Sequence, residues 1–181
     1  MPNKYEIATQ RLIQQIQNLN LPAEFHARYD MVQTVRDFRR AFSDPMVRDG
    51  ILLPKYEQAR MAQERYSAGF CGIASYTWNH LFRMPNGDEI WRLKQYRNSE
   101  NTGYNHVWLE NVYDGEILDL TYDQFGDVGV FPYDKLGGKF VDSNFEFRRA
   151  YTFAERAGFG DLSQIVFENM LHKLAQSVPR R

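Results

Sequence analysis

Apolar residues in the first third of the chain recur every three or four positions, which is the spacing of one face of an α-helix. This pattern predicts helices over residues 4–20, 23–42 and 54–65, the last with Pro54 in its first turn. The apolar positions of the second helix are Phe25, Tyr29, Val32, Val35, Phe38 and Phe42. We therefore expect residues 1–66 to form a helical N-terminal layer.

The middle of the chain places a cysteine at the start of a helix. Residues 67–70 read Ser-Ala-Gly-Phe and interrupt the helical pattern, which resumes over residues 71–82. Cys71 is thus predicted to lie at or beside a helix N-terminus.

Strands are predicted after this helix. Residues 89–97 alternate between apolar and polar side chains, as a half-buried strand does. Residues 106–113 and 116–121 flank the dipeptide Asp114-Gly115, which is a strong hairpin signal. We expect these two segments to pair antiparallel through a two-residue turn.

The C-terminal part returns to helices. One further short strand is predicted within residues 131–141, and a helix over residues 143–157 is closed by Gly158. A last helix is predicted over residues 162–177, with Asp161 as its cap.

Length and composition indicate one ordinary globular domain spanning residues 1–181, with 43% hydrophobic and 25% charged residues. The formal net charge of -1 disfavours nucleic acid or an anionic membrane surface as the main partner. No segment approaches the roughly 20 consecutive apolar residues of a membrane helix, and the N-terminus lacks the apolar core of a secretory signal. We expect a soluble protein, cytoplasmic where it is synthesised, which is compatible with delivery to a target cell by a route independent of a signal peptide.

The chain contains a single cysteine, Cys71, which excludes an intramolecular disulfide and a structural zinc site with several cysteines. Its four histidines are scattered, and no His-x-x-x-His pair or clustered acidic pattern occurs. We therefore predict neither a metal nor a cofactor. Cys71 is then either a buried small residue or a reactive thiol.

A thiol is nucleophilic only as its thiolate, which the unpaired N–H groups at a helix N-terminus favour. It also needs a base, and a histidine oriented by a carboxylate on the neighbouring strand supplies one. His106 and Asp119 follow Cys71 in that order, on the two strands of the predicted hairpin. We therefore predict a catalytic set of Cys71 as nucleophile, His106 as proton carrier and Asp119 as the group that orients it.

Two features of this set stay open. With a two-residue turn, Asp123 lies opposite His106 and Asp119 lies about four residues along the strand, so a bulge or a longer loop is needed to bring Asp119 to His106. An oxyanion is normally stabilised by the backbone N–H of the cysteine and a side-chain donor. Gln63 is a candidate donor, while Gln124 is a candidate for fixing the loop after Asp119.

Three segments, GFCGIASYTWNHLF, HVWLE and LDLTYDQF, resemble the papain-like and transglutaminase-like cysteine superfamily, in particular its small bacterial and phage members. The resemblance covers residues 69–126, about a third of the chain. It implies an α+β, papain-like or transglutaminase-like fold, in which an antiparallel sheet packs on the helix that carries Cys71 and residues 67–126 form the core of the motif. It also favours Asp119 over Asp123 as the third member.

The function that this resemblance implies is hydrolysis of an amide through a thioester on Cys71. The enzyme would be a peptidase, an amidase or a protein-glutamine deamidase, with a protein or peptide as its substrate. One alternative is transfer of the acyl group to an amine, as in an acyltransferase or transglutaminase with the same triad. Another is a non-catalytic protein-binding module on the same scaffold, with the N-terminal helices as its interaction surface.

Overall fold

The structure is a computed structural model that describes residues 3–54, 56–58, 65–97, 105–128, 131–141 and 148–177. In chain order its helices are α1 (Lys4–Gln17), α2 (Met31–Ser43), α3 (Pro45–Arg48), α4 (Cys71–Leu81), α5 (Tyr133–Leu136), α6 (Arg148–Arg156) and α7 (Leu162–Ser177). Its strands are β1 (Trp91–Tyr96), β2 (His106–Asn111), β3 (Ile117–Leu118) and β4 (Lys139–Phe140), and a 3₁₀ helix spans Tyr122–Val128. The fold is therefore mixed α+β.

The described strands form one four-stranded sheet in the order β3-β2-β1-β4, and each neighbouring pair is antiparallel. Helix α4 packs on β2 and β1, and α6 and α7 pack on α4 from the other side. Helix α4 thus lies between the sheet and the C-terminal helices. This placement explains why all its residues from Ile73 to Leu81 are buried.

Side-chain hydrogen bonds join α4 to the sheet. The Ser75 hydroxyl donates to the carbonyl of Val107 at 3.4 Å, and the Asn79 amide donates to the carbonyl of Trp91 at 2.5 Å. Because Ser75 is one turn beyond Cys71 and Val107 follows His106, the first bond sets the start of α4 beside the start of β2.

An aromatic cluster fills the space between α2, α4 and α6. Phe42 stacks on Phe70 and on Phe153, with ring centroids 4.7 Å and 5.8 Å apart. All three side chains are fully buried. Phe70 directly precedes Cys71, so this stacking anchors the N-terminal end of α4 in the core.

Several predicted elements are confirmed. The cysteine helix and the last helix form close to their predicted bounds, as Cys71–Leu81 and Leu162–Ser177, and the predicted strand over residues 89–97 is Trp91–Tyr96. Of the helix predicted over residues 54–65, residues 54 and 56–58 are helical, and residues 59–64 lie outside the described residues. Of the helix predicted over residues 143–157, Arg148–Arg156 is helical, and residues 143–147 lie outside the described residues.

The second helix begins eight residues later than the prediction of residues 23–42. Asp30 has extended backbone angles and accepts the Gln33 amide hydrogen at 2.6 Å, so it caps a helix that starts at Met31. Tyr29 donates instead to the carbonyl of Phe159 at 3.0 Å. Phe25 and Tyr29 therefore pack against the core from a non-helical segment, although their spacing fits the helical pattern.

The predicted two-residue turn at Asp114-Gly115 is wrong. Leu109 pairs with Leu118 and Glu110 with Ile117, so each partner lies two positions earlier than a two-residue turn requires. The Asn111 amide donates to the carbonyl of Glu116 at 2.9 Å, which leaves residues 112–115 as a four-residue loop.

Candidate active site

Cys71 is the first residue of α4, and the chain bends just before it at Gly69, in a conformation that favours glycine. Gly69 has φ +85°, and a Cβ at this position would lie 2.9 Å from the Cβ of Tyr56. Within the described residues no side chain caps the helix, whose N-cap is Phe70. Cys71 is half-buried and so remains within reach of a ligand.

His106 is the first residue of β2, and its side chain has no solvent-exposed surface. Its Nε2 atom lies 2.6 Å from Oδ2 of Asp119. The Cys71 side chain lies near enough to raise the pKa of the same imidazole. The structure therefore brings together the three residues that the sequence selects.

Asp119 follows β3 directly and is 4% exposed, and both of its oxygens are occupied. Oδ1 accepts the backbone N–H and the hydroxyl of Thr121, at 2.9 Å and 3.1 Å. Oδ2 accepts from His106 and from the Tyr133 hydroxyl, the latter at 2.5 Å. These bonds fix the orientation of the carboxylate that holds the imidazole.

The four-residue loop accounts for the position of Asp119. In the observed register each β3 residue pairs with a β2 residue two positions nearer the beginning of that strand than a two-residue turn predicts. Continued by one residue, this register places Asp119 opposite Trp108, two residues from His106 instead of four. The sequence requires either a bulge or a longer loop to bring Asp119 to His106, and the structure has the longer loop. The expectation from ideal register, Asp123 opposite His106, is wrong.

Asp123 has a different set of partners. Its two carboxylate oxygens each lie 2.7 Å from the Arg39 guanidinium, and one of them accepts from the Ser67 hydroxyl at 2.9 Å. Arg39 is 2% exposed and Ser67 is fully buried. Asp123 therefore joins α2, the turn before Cys71 and the 3₁₀ helix after Asp119.

His106 and Asp119 each stabilise the charged form of the other. Burial disfavours a charge on His106, but the Asp119 carboxylate and the Cys71 side chain raise the pKa of the imidazole to about 10. Burial alone would raise the pKa of Asp119, but His106 and the hydrogen bonds from Tyr133 and Thr121 hold it below its usual value. Burial and the neighbouring carboxylate raise the pKa of the Tyr133 phenol, which keeps it a hydrogen-bond donor.

Gln124 contacts the nitrogen of His106 that faces away from Asp119. Its Nε2 atom lies 2.9 Å from Nδ1 of His106 and 3.0 Å from the Thr121 hydroxyl oxygen. The predicted role, fixing the loop after Asp119, agrees with the bond to Thr121. The contact with the imidazole was not predicted. The other candidate glutamine, Gln63, lies outside the described residues.

Aromatic side chains enclose the imidazole. Trp108 is buried and stacks on His106, with ring centroids 5.7 Å apart. Phe125 and Phe131 lie 4.9 Å and 4.8 Å from the same ring. The sequence does not predict that Phe131 and Tyr133 lie at the site, because both residues follow the segment 69–126 that carries the resemblance. Together these rings shield the His106–Asp119 pair from water, which strengthens its electrostatic interaction.

No group of three or more potential metal-binding side chains occurs within the described residues. Of the other histidines, His80 is buried and lies 4.6 Å from the Tyr76 ring, whereas His26 and His172 are exposed. No described helix is long and apolar enough to cross a membrane.

A thiol, an imidazole and a carboxylate in contact can transfer a proton from sulfur to nitrogen and stabilise the resulting ion pair. This arrangement is able to support nucleophilic attack on an acyl carbon. Comparison of the chain with family models, curated proteins and solved structures finds no match.

Proposed function

We propose that the chain is a thiol-dependent hydrolase of amides that uses a Cys71–His106–Asp119 triad. The observation that carries the proposal is the 2.6 Å contact between His106 Nε2 and Asp119 Oδ2, on an imidazole whose pKa the nearby Cys71 side chain also raises. Substrates of this class are peptide bonds and side-chain amides, including protein glutamine.

The reaction proceeds through a thioester. The Cys71 thiol gives its proton to His106, and the sulfur attacks the amide carbon, forming a C–S bond. The C–N bond breaks as the imidazolium returns that proton to the departing amine. Water then attacks the thioester while His106 takes a proton from it and passes this proton to the sulfur, which releases a carboxylic acid and restores the thiol.

The fold adds support for a papain-like or transglutaminase-like assignment. The cysteine begins a helix that packs on an antiparallel sheet, the histidine begins a strand of that sheet, and the aspartate follows the next strand. This order and these element types agree with the resemblance of the three sequence segments. The active-site chemistry is equally suited to an amine acceptor, so transfer of the acyl group to an amine is a variant of the same proposal.

A second candidate function is a non-catalytic protein-binding module. It is favoured by the complete burial of His106 beneath the rings of Phe125 and Phe131. In that case the contact between His106 and Asp119 would serve stability alone. The two functions differ in the reactivity of Cys71.

Hydrolysis of p-nitrophenyl acetate tests the proposed activity. The activated ester should acetylate Cys71 and turn over, and Cys71→Ala should release no p-nitrophenol above the background of buffer. Asp119→Asn should lower turnover by roughly 10²- to 10⁴-fold, the usual contribution of a positioned acid–base pair. The exposed carboxylate Asp134 supplies the matched control, Asp134→Asn, which should keep full turnover. Release that is the same with and without the Cys71 thiol would contradict the proposal.

A further inference from the structure

The His106 imidazole is closed off from solvent. Its side chain has no exposed surface. Phe131 is 3% exposed, and its ring centroid lies 4.8 Å from that of His106 and 5.4 Å from that of Trp108. The Phe125 ring lies 4.9 Å from the imidazole at nearly a right angle. The imidazole therefore meets other protein atoms on every side.

The proposed reaction requires other molecules to reach this imidazole. His106 gives a proton to the departing amine and takes one from water, and each transfer needs the two heavy atoms within roughly 3 Å of each other. An imidazole without exposed surface contacts neither molecule. Cys71, by contrast, is half-buried and within reach of a ligand. The observed arrangement is therefore a closed state, and part of the chain must move before His106 can act.

Among the described residues around His106, the segment 131–136 is weakly anchored in the core. None of the four residues of α5, Tyr133–Leu136, is buried. The segment is held at the site by the buried ring of Phe131 and by the Tyr133 hydroxyl, which donates to Asp119 Oδ2 at 2.5 Å. Segments with few buried contacts open at a lower free energy than the core does.

The 3₁₀ helix that carries Phe125 is anchored more firmly. Asp123, in the same helix, makes two 2.7 Å contacts with the buried Arg39 and accepts a hydrogen bond from Ser67. Movement of this helix would break a buried ion pair, which is strongly unfavourable. Movement of residues 131–136 would break the bond from Tyr133 and expose Phe131. The smaller cost selects the segment 131–136.

We propose that residues 131–136 form a cover that inhibits the site by closing over His106, with the Phe131 ring against the imidazole and the Tyr133 hydroxyl bonded to Asp119. This regulation rests on the proposed function and deepens it. The open state admits the leaving amine and water to His106, so the reaction rate is proportional to the open fraction of the chain. A minor state of this kind is populated at about 0.1–10%, which corresponds to inhibition of about tenfold to thousandfold.

Phe131→Ala tests the cover through the turnover of p-nitrophenyl acetate, in which water must reach His106 to hydrolyse acetylated Cys71. Loss of the ring removes the apolar contact that favours closure, so turnover should rise at least about tenfold. Phe140→Ala is the matched control, because the Phe140 ring is 54% exposed and lies against Arg92 and Lys94. This variant should keep the turnover of the wild type.

Modification of His106 by diethyl pyrocarbonate, located by mass spectrometry, measures the cover without turnover. The exposed His172 of the same chain is the internal reference. Relative to His172, His106 should react at least about tenfold faster in Phe131→Ala than in the wild type. In Tyr133→Phe, which keeps the aromatic ring and loses the bond to Asp119, it should react about threefold faster or more.

The cover requires both readings to rise in Phe131→Ala, and either reading unchanged or lowered in the folded protein overturns it. If near-UV circular dichroism shows that Phe131→Ala does not fold, the modification of His106 in Tyr133→Phe decides instead. Cys71 alkylation by iodoacetamide in His106→Gln distinguishes failure of the cover from failure of the proposed function. If alkylation depends on His106 while both readings stay unchanged, the triad stands and the cover is withdrawn. If alkylation does not depend on His106, both are withdrawn.

Discussion

At the scale of single residues, the charged carboxylate of Asp119 holds the His106 imidazole in place. It is a buried carboxylate that accepts four hydrogen bonds, from His106, Tyr133 and two groups of Thr121. A buried carboxylate without these partners would bind a proton and lose its hold on the imidazole. The partners of Asp119 are therefore as important for the site as the aspartate itself.

Stability should depend on pH through His106. Its pKa rises on folding from 6.5 to about 10, so the folded chain binds a proton more tightly than the unfolded chain. This contribution to stability is complete below about pH 6.5 and is lost as the pH rises toward 10. We expect the free energy of unfolding, measured with urea at several pH values, to fall across this range in the wild type. In His106→Gln the fall should be smaller, and an equal fall in both proteins would contradict the assignment.

The residues of the triad could be predicted, and their neighbours could not. Cys71, His106 and Asp119 each carry a reactive group and stand at the ends of elements whose patterns are visible along the chain. Gln124 has a weaker signal, the spacing of three residues from Thr121 that one turn of a helix brings together. Tyr133 and Phe131 have none, because their contacts depend on how a later segment folds back over the sheet.

At the scale of elements, the loop between β2 and β3 decides which carboxylate reaches the imidazole. The dipeptide Asp114-Gly115 favours a two-residue turn, yet the observed loop covers residues 112–115. Local turn preference is weak compared with the burial of Leu109 and Leu118, which pair across the two strands. A prediction from local signals alone therefore misplaces the register by two residues.

Gly138 packs against the Trp108 ring, which in turn stacks on His106. A Cβ at Gly138 would lie 2.6 Å from the Trp108 ring, so Gly138→Ala should push this ring toward His106. We expect a loss of stability of about 1–3 kcal/mol, typical of overpacking, together with a change in tryptophan fluorescence.

A glycine in the β2–β3 loop supplies the control for this variant. Gly115 has φ +76° and open space around it, so Gly115→Ala should lose about 1 kcal/mol through its backbone alone. Its tryptophan fluorescence should remain that of the wild type. The packing of Gly138 on Trp108 would be refuted by identical fluorescence in Gly138→Ala.

At the scale of the whole molecule, the N-terminal helices are joined to the active-site loop through Arg39. This buried guanidinium makes two 2.7 Å contacts with Asp123 and lies 3.8 Å above the Tyr5 ring of α1. Asp123 lies next to Gln124, and its partner Ser67 lies four residues before Cys71. The helical layer thus contributes to the relative position of the thiol and the loop, a connection that no pattern within either segment predicts.

Removal of the carboxylate from this connection should destabilise the chain strongly. Asp123→Ala leaves the Arg39 charge buried without its partner, and we expect a loss of roughly 3 kcal/mol or more in the free energy of unfolding. Asp134→Ala, at an exposed position, should change stability by less than about 0.5 kcal/mol. Urea denaturation of the three proteins measures the difference, and similar stabilities of both variants would show that the ion pair does not hold the layer in place.

The most direct test of the proposed function is the rate at which iodoacetamide alkylates Cys71 at pH 6 in the wild type and in His106→Gln. Near-UV circular dichroism should first show that both proteins are folded. An activated Cys71–His106 pair predicts alkylation of the wild type at least about tenfold faster than that of the variant. Equal rates in the two folded proteins would contradict the triad and favour the protein-binding module.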